Sequence, residues 1–111
     1  MEGCIFCKII RGEIPATVVY ESSDAVAFED VNPMAPVHVV VVPKTHVATL
    51  MDVPVGMMEG LMAAVREVAV VKGIAEKGFR TVINCNAEGG QVIFHLHIHV
   101  LGGRKLSDDM G

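Results

Sequence analysis

The run Val92-Ile93-Phe94-His95-Leu96-His97-Ile98-His99-Val100-Leu101 alternates histidine with aliphatic residues. In an extended chain successive side chains point to opposite faces, so His95, His97 and His99 share one face and Leu96, Ile98 and Val100 the other. The aliphatic face anchors the strand, and the histidine face looks onto something polar. A lone strand histidine is usually a satisfied structural residue. Three on one face each need hydrogen-bond partners and would repel one another if charged, which points to chemistry. A single ion does not account for them. At about 3.3 Å per residue the α-carbons of His95 and His99 lie roughly 13 Å apart, too far for a shared ion at about 2 Å without a sharp bend. The histidines are therefore expected to divide their labour, with a nucleophile between a structural or metal-bound neighbour and one that faces the substrate.

Two other segments could join this chemistry. Asn84-Cys85-Asn86-Ala87-Glu88-Gly89-Gly90-Gln91 stands just before the histidine run. Adjacent glycines let successive N–H groups aim at one point, so the loop reads as a phosphate cradle beside the histidine face, although Gly-Gly alone would be a plain turn. Cys4-Ile5-Phe6-Cys7 has the spacing of two thiolates on one tetrahedral ion, with histidines as the natural source of the other ligands. Thiol exchange uses the same spacing, as does simple helix packing, but the strand that precedes a redox motif is missing.

The elements that must position these groups follow from periodicity. Ile5, Phe6, Ile9 and Ile10 recur at helical spacing between Cys4 and Arg11, with Gly12 as a stop. Thr17 to Glu21 and Ala25 to Glu29 read as a hairpin around Ser22-Ser23-Asp24, and Asn32 to Pro36 as a loop. Val37 to Val42 is apolar on both faces, as suits the centre of a covered sheet. Met57, Met58, Leu61, Met62, Val65, Val68 and Ala69 form the stripe of one long helix ended by Gly73, the methionines serving as core filler. Phe79 to Asn84 and Val92 to Leu101 complete roughly five strands, mostly antiparallel, in an α+β domain.

A chain of 111 residues is expected to be a single domain, residues 1–111. Nine Lys and Arg against thirteen Asp and Glu give a net charge of −4 with no basic block, which argues against nucleic acid as a partner but leaves a single bound phosphate open. With 51% hydrophobic and 20% charged residues, disorder is excluded. No apolar run is long enough to cross a bilayer and no signal peptide is evident, so the expected location is cytoplasmic, with no membrane partner. The odd count of three cysteines is not a disulfide framework, and some of the apolar excess is expected in a homodimer interface.

His95-Leu96-His97-Ile98-His99-Val100 resembles the signature of the histidine triad superfamily. Cys4 to Ile10, Glu13 to Ala16, Ala27 to Val31, Ala35 to His38, Pro43 to His46, Gly89 to Gln91 and Leu101 to Arg104 are similar to its nucleotide-binding branch, in register along nearly the whole chain. The resemblance implies a five-stranded antiparallel sheet with one long helix and a short N-terminal helix, the sheet continuing across a homodimer. It implies a purine nucleotide-binding hydrolase that cleaves nucleoside phosphoramidates or related nucleotidyl bonds at the α-phosphorus. His97 would be the nucleophile of a nucleotidyl-histidine intermediate, and His99 would face the phosphate and leaving group. Asn84, Gln91 and the N–H of Val92 fall at phosphate-binding positions, and Asp30 would take the ribose hydroxyls. Ile5, Phe6, Ile9, Phe28 and Val31 would line the base cleft. Cys4, Cys7, His46 and His95 match a structural zinc site, with no organic cofactor; His38 would be a buried hydrogen-bond partner of the triad, and Cys85 structural.

Two positions depart from the branch. Val92 stands where a hydroxyl residue is usual, and a valine side chain cannot donate a hydrogen bond to phosphate or leaving group. The tail from Lys105 to Gly111 lacks the aromatic end of some relatives. The alternatives are thus a nucleotide-binding or scaffold protein with weak catalysis, or a dinucleoside polyphosphate hydrolase.

Overall fold

A computed structural model describes residues 3–111. Five strands, β1 (Val18–Glu21), β2 (Ala25–Glu29), β3 (Val37–Pro43), β4 (Arg80–Val82) and β5 (Ile98–Gly102), form one sheet in the order β1-β2-β3-β5-β4. Every neighbouring pair is antiparallel, as the short connections predict. Helix α1 (Ile5–Ile10) lies at the start of the chain, and α2 (Met57–Val71) connects the β3 side to β4.

The central strand β3 shows why it is apolar on both faces. Val39 and Val41 join Leu61, Val65 and Val68 of α2 in one core cluster, whereas Val40 and Val42 join Phe6 of α1 and Phe28 of β2 in another. One sheet face is thus covered by the long helix and the other by the short one. His38 shares the second face with Val40 and Val42 by alternation, and His99, paired with Val40, projects there from β5. Leu96, Ile98 and Val100 go to the α2 core, as their spacing predicts. Helix α2 ends as expected: Lys72 caps it and Gly73 follows with φ +71°, the left-handed turn that glycine makes without strain.

Three expectations are corrected. Met62 is off the buried stripe and 38% exposed, and Ala64 takes its place; a residue directly after Leu61 is rotated about 100° around the axis from it. The strand expected from Phe79 to Asn84 is confined to Arg80–Val82, since its ladder with β5 ends at the pair Val82 and His99. The strand expected from Val92 to Leu101 is only Ile98–Gly102, and residues 93–95 bend. The register Val41↔Ile98, carried on by two residues, would set Pro43 against Leu96, and proline has no N–H to continue the ladder. The Leu96 amide goes instead to the Val47 carbonyl at 2.8 Å.

Candidate active site

The bend separates the three histidines. His95 is fully buried and turns towards α1, where its Nδ1 lies 3.3 Å from Cys4 Sγ, 3.6 Å from Cys7 Sγ and 3.1 Å from His46 Nδ1. Cys7 Sγ lies 3.3 Å from His46 Nδ1. The four ligand atoms all fall within 4.8 Å of one another. A tetrahedron with Zn–N near 2.0 Å and Zn–S near 2.3 Å has edges of roughly 3.3 to 3.8 Å, so two sulfurs and two imidazole nitrogens around one point fit a zinc ion in size and donor type. The other nitrogen of His95 is 2.9 Å from the Pro43 carbonyl. A carbonyl only accepts, so the proton is on Nε2 and the Nδ1 lone pair faces the thiols, the orientation a metal-bound histidine takes from its outer partner. Burial lowers the pKa of His95 and of His46, favouring the neutral rings a metal needs, and burial together with Cys4 raises the Cys7 thiol.

His97 turns the other way. Its Nδ1 is 2.7 Å from the His95 carbonyl oxygen, so Nδ1 carries the proton and donates, leaving Nε2 with its lone pair available. Phe6 packs edge-on against both rings, with centroids 5.8 Å from His95 and 5.1 Å from His97. Phe6, between the two cysteines, thus touches two of the triad histidines as well as Phe28.

His99 stands beside His97, ring centroids 5.1 Å apart, and its Nδ1 is 2.9 Å from His38 Nε2. The direction of that hydrogen bond follows from the far side of His38, whose Nδ1 accepts the Met34 amide at 3.0 Å. Nε2 of His38 therefore holds the proton and donates to His99, which must carry its own proton on Nε2. Asp30 Oδ2 lies 3.4 Å from His38 Nε2, while its Oδ1 accepts the Asn32 amide at 2.8 Å. Asp30, His38 and His99 also cluster closely enough for a metal, but both ring nitrogens of His38 are already used in hydrogen bonds. Burial, then the neighbouring His97 and His38, push the pKa of His99 down to about 4, so it is neutral at physiological pH.

The glycine loop ahead of the histidine run closes on itself. The Gly90 and Gln91 amides return to the Ala87 and Asn86 carbonyls at 3.0 Å each. A side chain at Gly89 would put its Cβ 2.3 Å from the Cys85 carbonyl oxygen, so only glycine fits. Asn84 donates to the Gly89 carbonyl at 2.7 Å, bracing the loop. Buried Gln91 is braced likewise: it donates to the Ala48 and Ile93 carbonyls at 2.8 and 3.1 Å and accepts the Asn86 amide at 2.8 Å. The Val92 side chain is exposed, and among the described residues its N–H has no partner. Phe6 and Phe28 pack with centroids 5.5 Å apart, Ile9 is half-buried beside them, and Ile5 and Val31 are exposed.

The structure thus brings together two neighbouring groups, Cys4, Cys7, His46 and His95 on one side of Phe6, and His97, His99, His38 and Asp30 on the other. Sequence reading had no signal for the backbone groups that fix the rings, the Pro43 and His95 carbonyls and the Met34 amide.

Fold and site define a protein with a histidine triad on an α+β sheet, and residues 11–106 match the HIT domain. The chain belongs to the HIT family. It is 48% identical over 109 residues to an uncharacterised HIT-like protein of Synechococcus elongatus, covering 96% of this chain and 95% of that one. It is 41% identical over 108 residues to the purine nucleoside phosphoramidase of Escherichia coli, covering 95% of this chain and 91% of the relative. The crystal structure of a HIT family hydrolase from Legionella pneumophila superposes with a TM-score of 0.94 at 42% identity, covering 98% of this chain and all of that one.

Proposed function

We propose that the protein is a nucleotide hydrolase that cleaves purine nucleoside phosphoramidates, or related nucleotidyl bonds, at the α-phosphorus through His97. The observation that carries this reading is the hydrogen bond from His97 Nδ1 to the His95 carbonyl. A neutral imidazole so held presents Nε2 as a nucleophile needing no prior deprotonation. In the first step the Nε2–P bond forms as the bond from phosphorus to the leaving nitrogen breaks, that nitrogen taking a proton from solvent and departing as the amine, a proton that the attacking water gives back in the second step. Water then attacks phosphorus, releases the nucleoside monophosphate and restores His97. His99, with Nε2–H turned from His38, hydrogen-bonds the phosphoryl or leaving group. The Val92 N–H and the Asn84 amide hold phosphate oxygens, and Asp30 accepts from the ribose. Phe6, Phe28 and Ile9 line the base cleft, with Ile5 and Val31 at its rim, and Gln91 serves the site by holding the loop. The likeness to the purine nucleoside phosphoramidase of Escherichia coli supports the substrate class.

Cys4, Cys7, His46 and His95 would hold a zinc ion, which would cross-link α1 to the triad segment and take no part in bond making. We read residues 1–111 as one cytoplasmic HIT domain without an organic cofactor. No described helix is long and apolar enough to cross a membrane. The exposed Met62 and Val70 of α2 suit burial in a homodimer. A second reading, nucleotide binding with weak catalysis, rests on Val92, which offers no side-chain donor at the mouth of the cradle. Single-turnover kinetics on an adenosine phosphoramidate test the proposal: His97→Ala should abolish release of the amine, and full turnover by that variant would sink it.

A further inference from the structure

A cavity of about 840 Å³ lies between the C-terminal end of α2, the start of β4 and the segment after β5, and shares no lining residue with the triad site. Lys72, Lys77, Arg80, Arg104 and Lys105 line it, five of the nine Lys and Arg of the chain, and no carboxylate does. Among the described residues only Lys72 has a carboxylate partner, Glu29 at 2.6 Å. The guanidinium of Arg80 donates to the Ser107 carbonyl at 2.7 Å, and that of Arg104 to the Lys105 and Met34 carbonyls at 3.1 and 3.3 Å. Carbonyl partners fix the direction of these cations and leave their charge uncompensated. Lys77 and Lys105 are exposed and have no carboxylate partner among the described residues.

Four uncompensated cations around one concavity, in a chain whose net charge is −4, concentrate positive potential where an anion would enter. The volume is that of a small-molecule site. Four charges match a compact polyanion better than a single phosphate, and Phe79, 37% exposed in the same wall, offers an aromatic face.

We propose that this cavity is a second binding site, separate from the triad, for an oligophosphate anion, either inorganic or carried by a nucleoside. The test is titration calorimetry of the full chain with inorganic tripolyphosphate and with adenosine triphosphate, both with the triad site saturated by adenosine monophosphate. The proposal expects binding that weakens about tenfold or more in Lys77→Ala/Lys105→Ala and stays nearly unchanged in Lys8→Ala/Lys44→Ala, which removes equal charge elsewhere. Phe79→Ala distinguishes the two sources: it weakens the nucleotide alone if the nucleoside stacks there, and neither ligand if phosphate is the whole determinant. No binding, equal loss in both double variants, or a Lys77→Ala/Lys105→Ala chain whose oligomeric state changes by light scattering would overturn the proposal, the last by assigning the cavity to contact between protein copies.

Discussion

His95 serves two neighbours with different atoms: its carbonyl oxygen accepts the Nδ1 proton of His97 at 2.7 Å, while its ring nitrogen faces the thiols of Cys4 and Cys7 at 3.3 and 3.6 Å. The residue that would be tied to a metal is thus the one that selects the tautomer of His97, the proposed nucleophile. Phe6, between the two cysteines in sequence and against both rings in space, reinforces the link.

Metal removal should therefore destabilise the fold before it touches the chemistry. Chelation, or Cys7→Ala, is expected to lower Tm by roughly 10 °C or more, because the proposed ion would join α1 to the triad segment. Folded, metal-free protein at low temperature should keep measurable turnover. Since burial holds the Cys7 thiol in its protonated form, metal uptake must release protons, and apparent zinc affinity should climb from pH 6 to pH 8 in a chelator competition. Loss of all activity in metal-free protein that is still folded would speak against a structural ion.

His38 acts through His99. Replacing it with Phe removes the donor that keeps the His99 proton on Nε2, and kcat should fall about 10- to 100-fold with little change in KM. His38→Gln can accept the Met34 amide and donate to His99, so it should recover part of the loss. An equal defect in both variants would indicate that His38 only fills space.

Low pH should weaken the fold in a defined window. His99 titrates near 4 in the folded chain against an ordinary value of 6.5, so between these pH values the unfolded chain binds the extra proton. Stability is then complete above about 6.5, declines as pH falls towards 4 and levels off below it, and the lowered pKa values of His46 and His95 act in the same direction. Urea unfolding at pH 7, 5.5 and 4.5 should show this decline, with a shallower slope for His99→Asn. Equal slopes would place the proton linkage elsewhere.

The alternation His-Leu-His-Ile-His was enough to send Leu96, Ile98 and Val100 to the core, and the separation of His95 from His99 was enough to place them in different side-chain groups. It could not show that the strand begins only at Ile98. That depends on Pro43, distant in sequence, reaching the place where a ladder amide was needed. The paired Cys4 and Cys7 were legible by spacing, and His46 and His95 by resemblance, because ligand sets leave marks in side-chain identity. The tautomers of His38, His95 and His97 were not legible, since they are set by main-chain groups that every residue carries, and that of His99 follows from His38. The cation-lined cavity was hidden for a related reason: its five charges come from three separate stretches of a net acidic chain.

Val92, directly after the glycine loop, carries an apolar side chain that is 86% exposed. Val92→Ser places a hydroxyl donor there without disturbing any packed contact. The expected result is a rise in phosphoramidate turnover of about tenfold with unchanged nucleotide affinity, the scale of one added hydrogen bond in a transition state. Unchanged turnover would show that a hydroxyl at this position does not limit the reaction.

The central claim is that His97 Nε2 forms a bond to phosphorus. Rapid quenching of wild-type protein with an adenosine phosphoramidate bearing a good leaving amine, so that the intermediate forms faster than water removes it, followed by peptide mass spectrometry, tests it directly. The account predicts an adenylyl adduct on His97, absent in His97→Ala and absent from His95 and His99. An adduct on another residue, or full turnover with none on His97 at any time point, would contradict it.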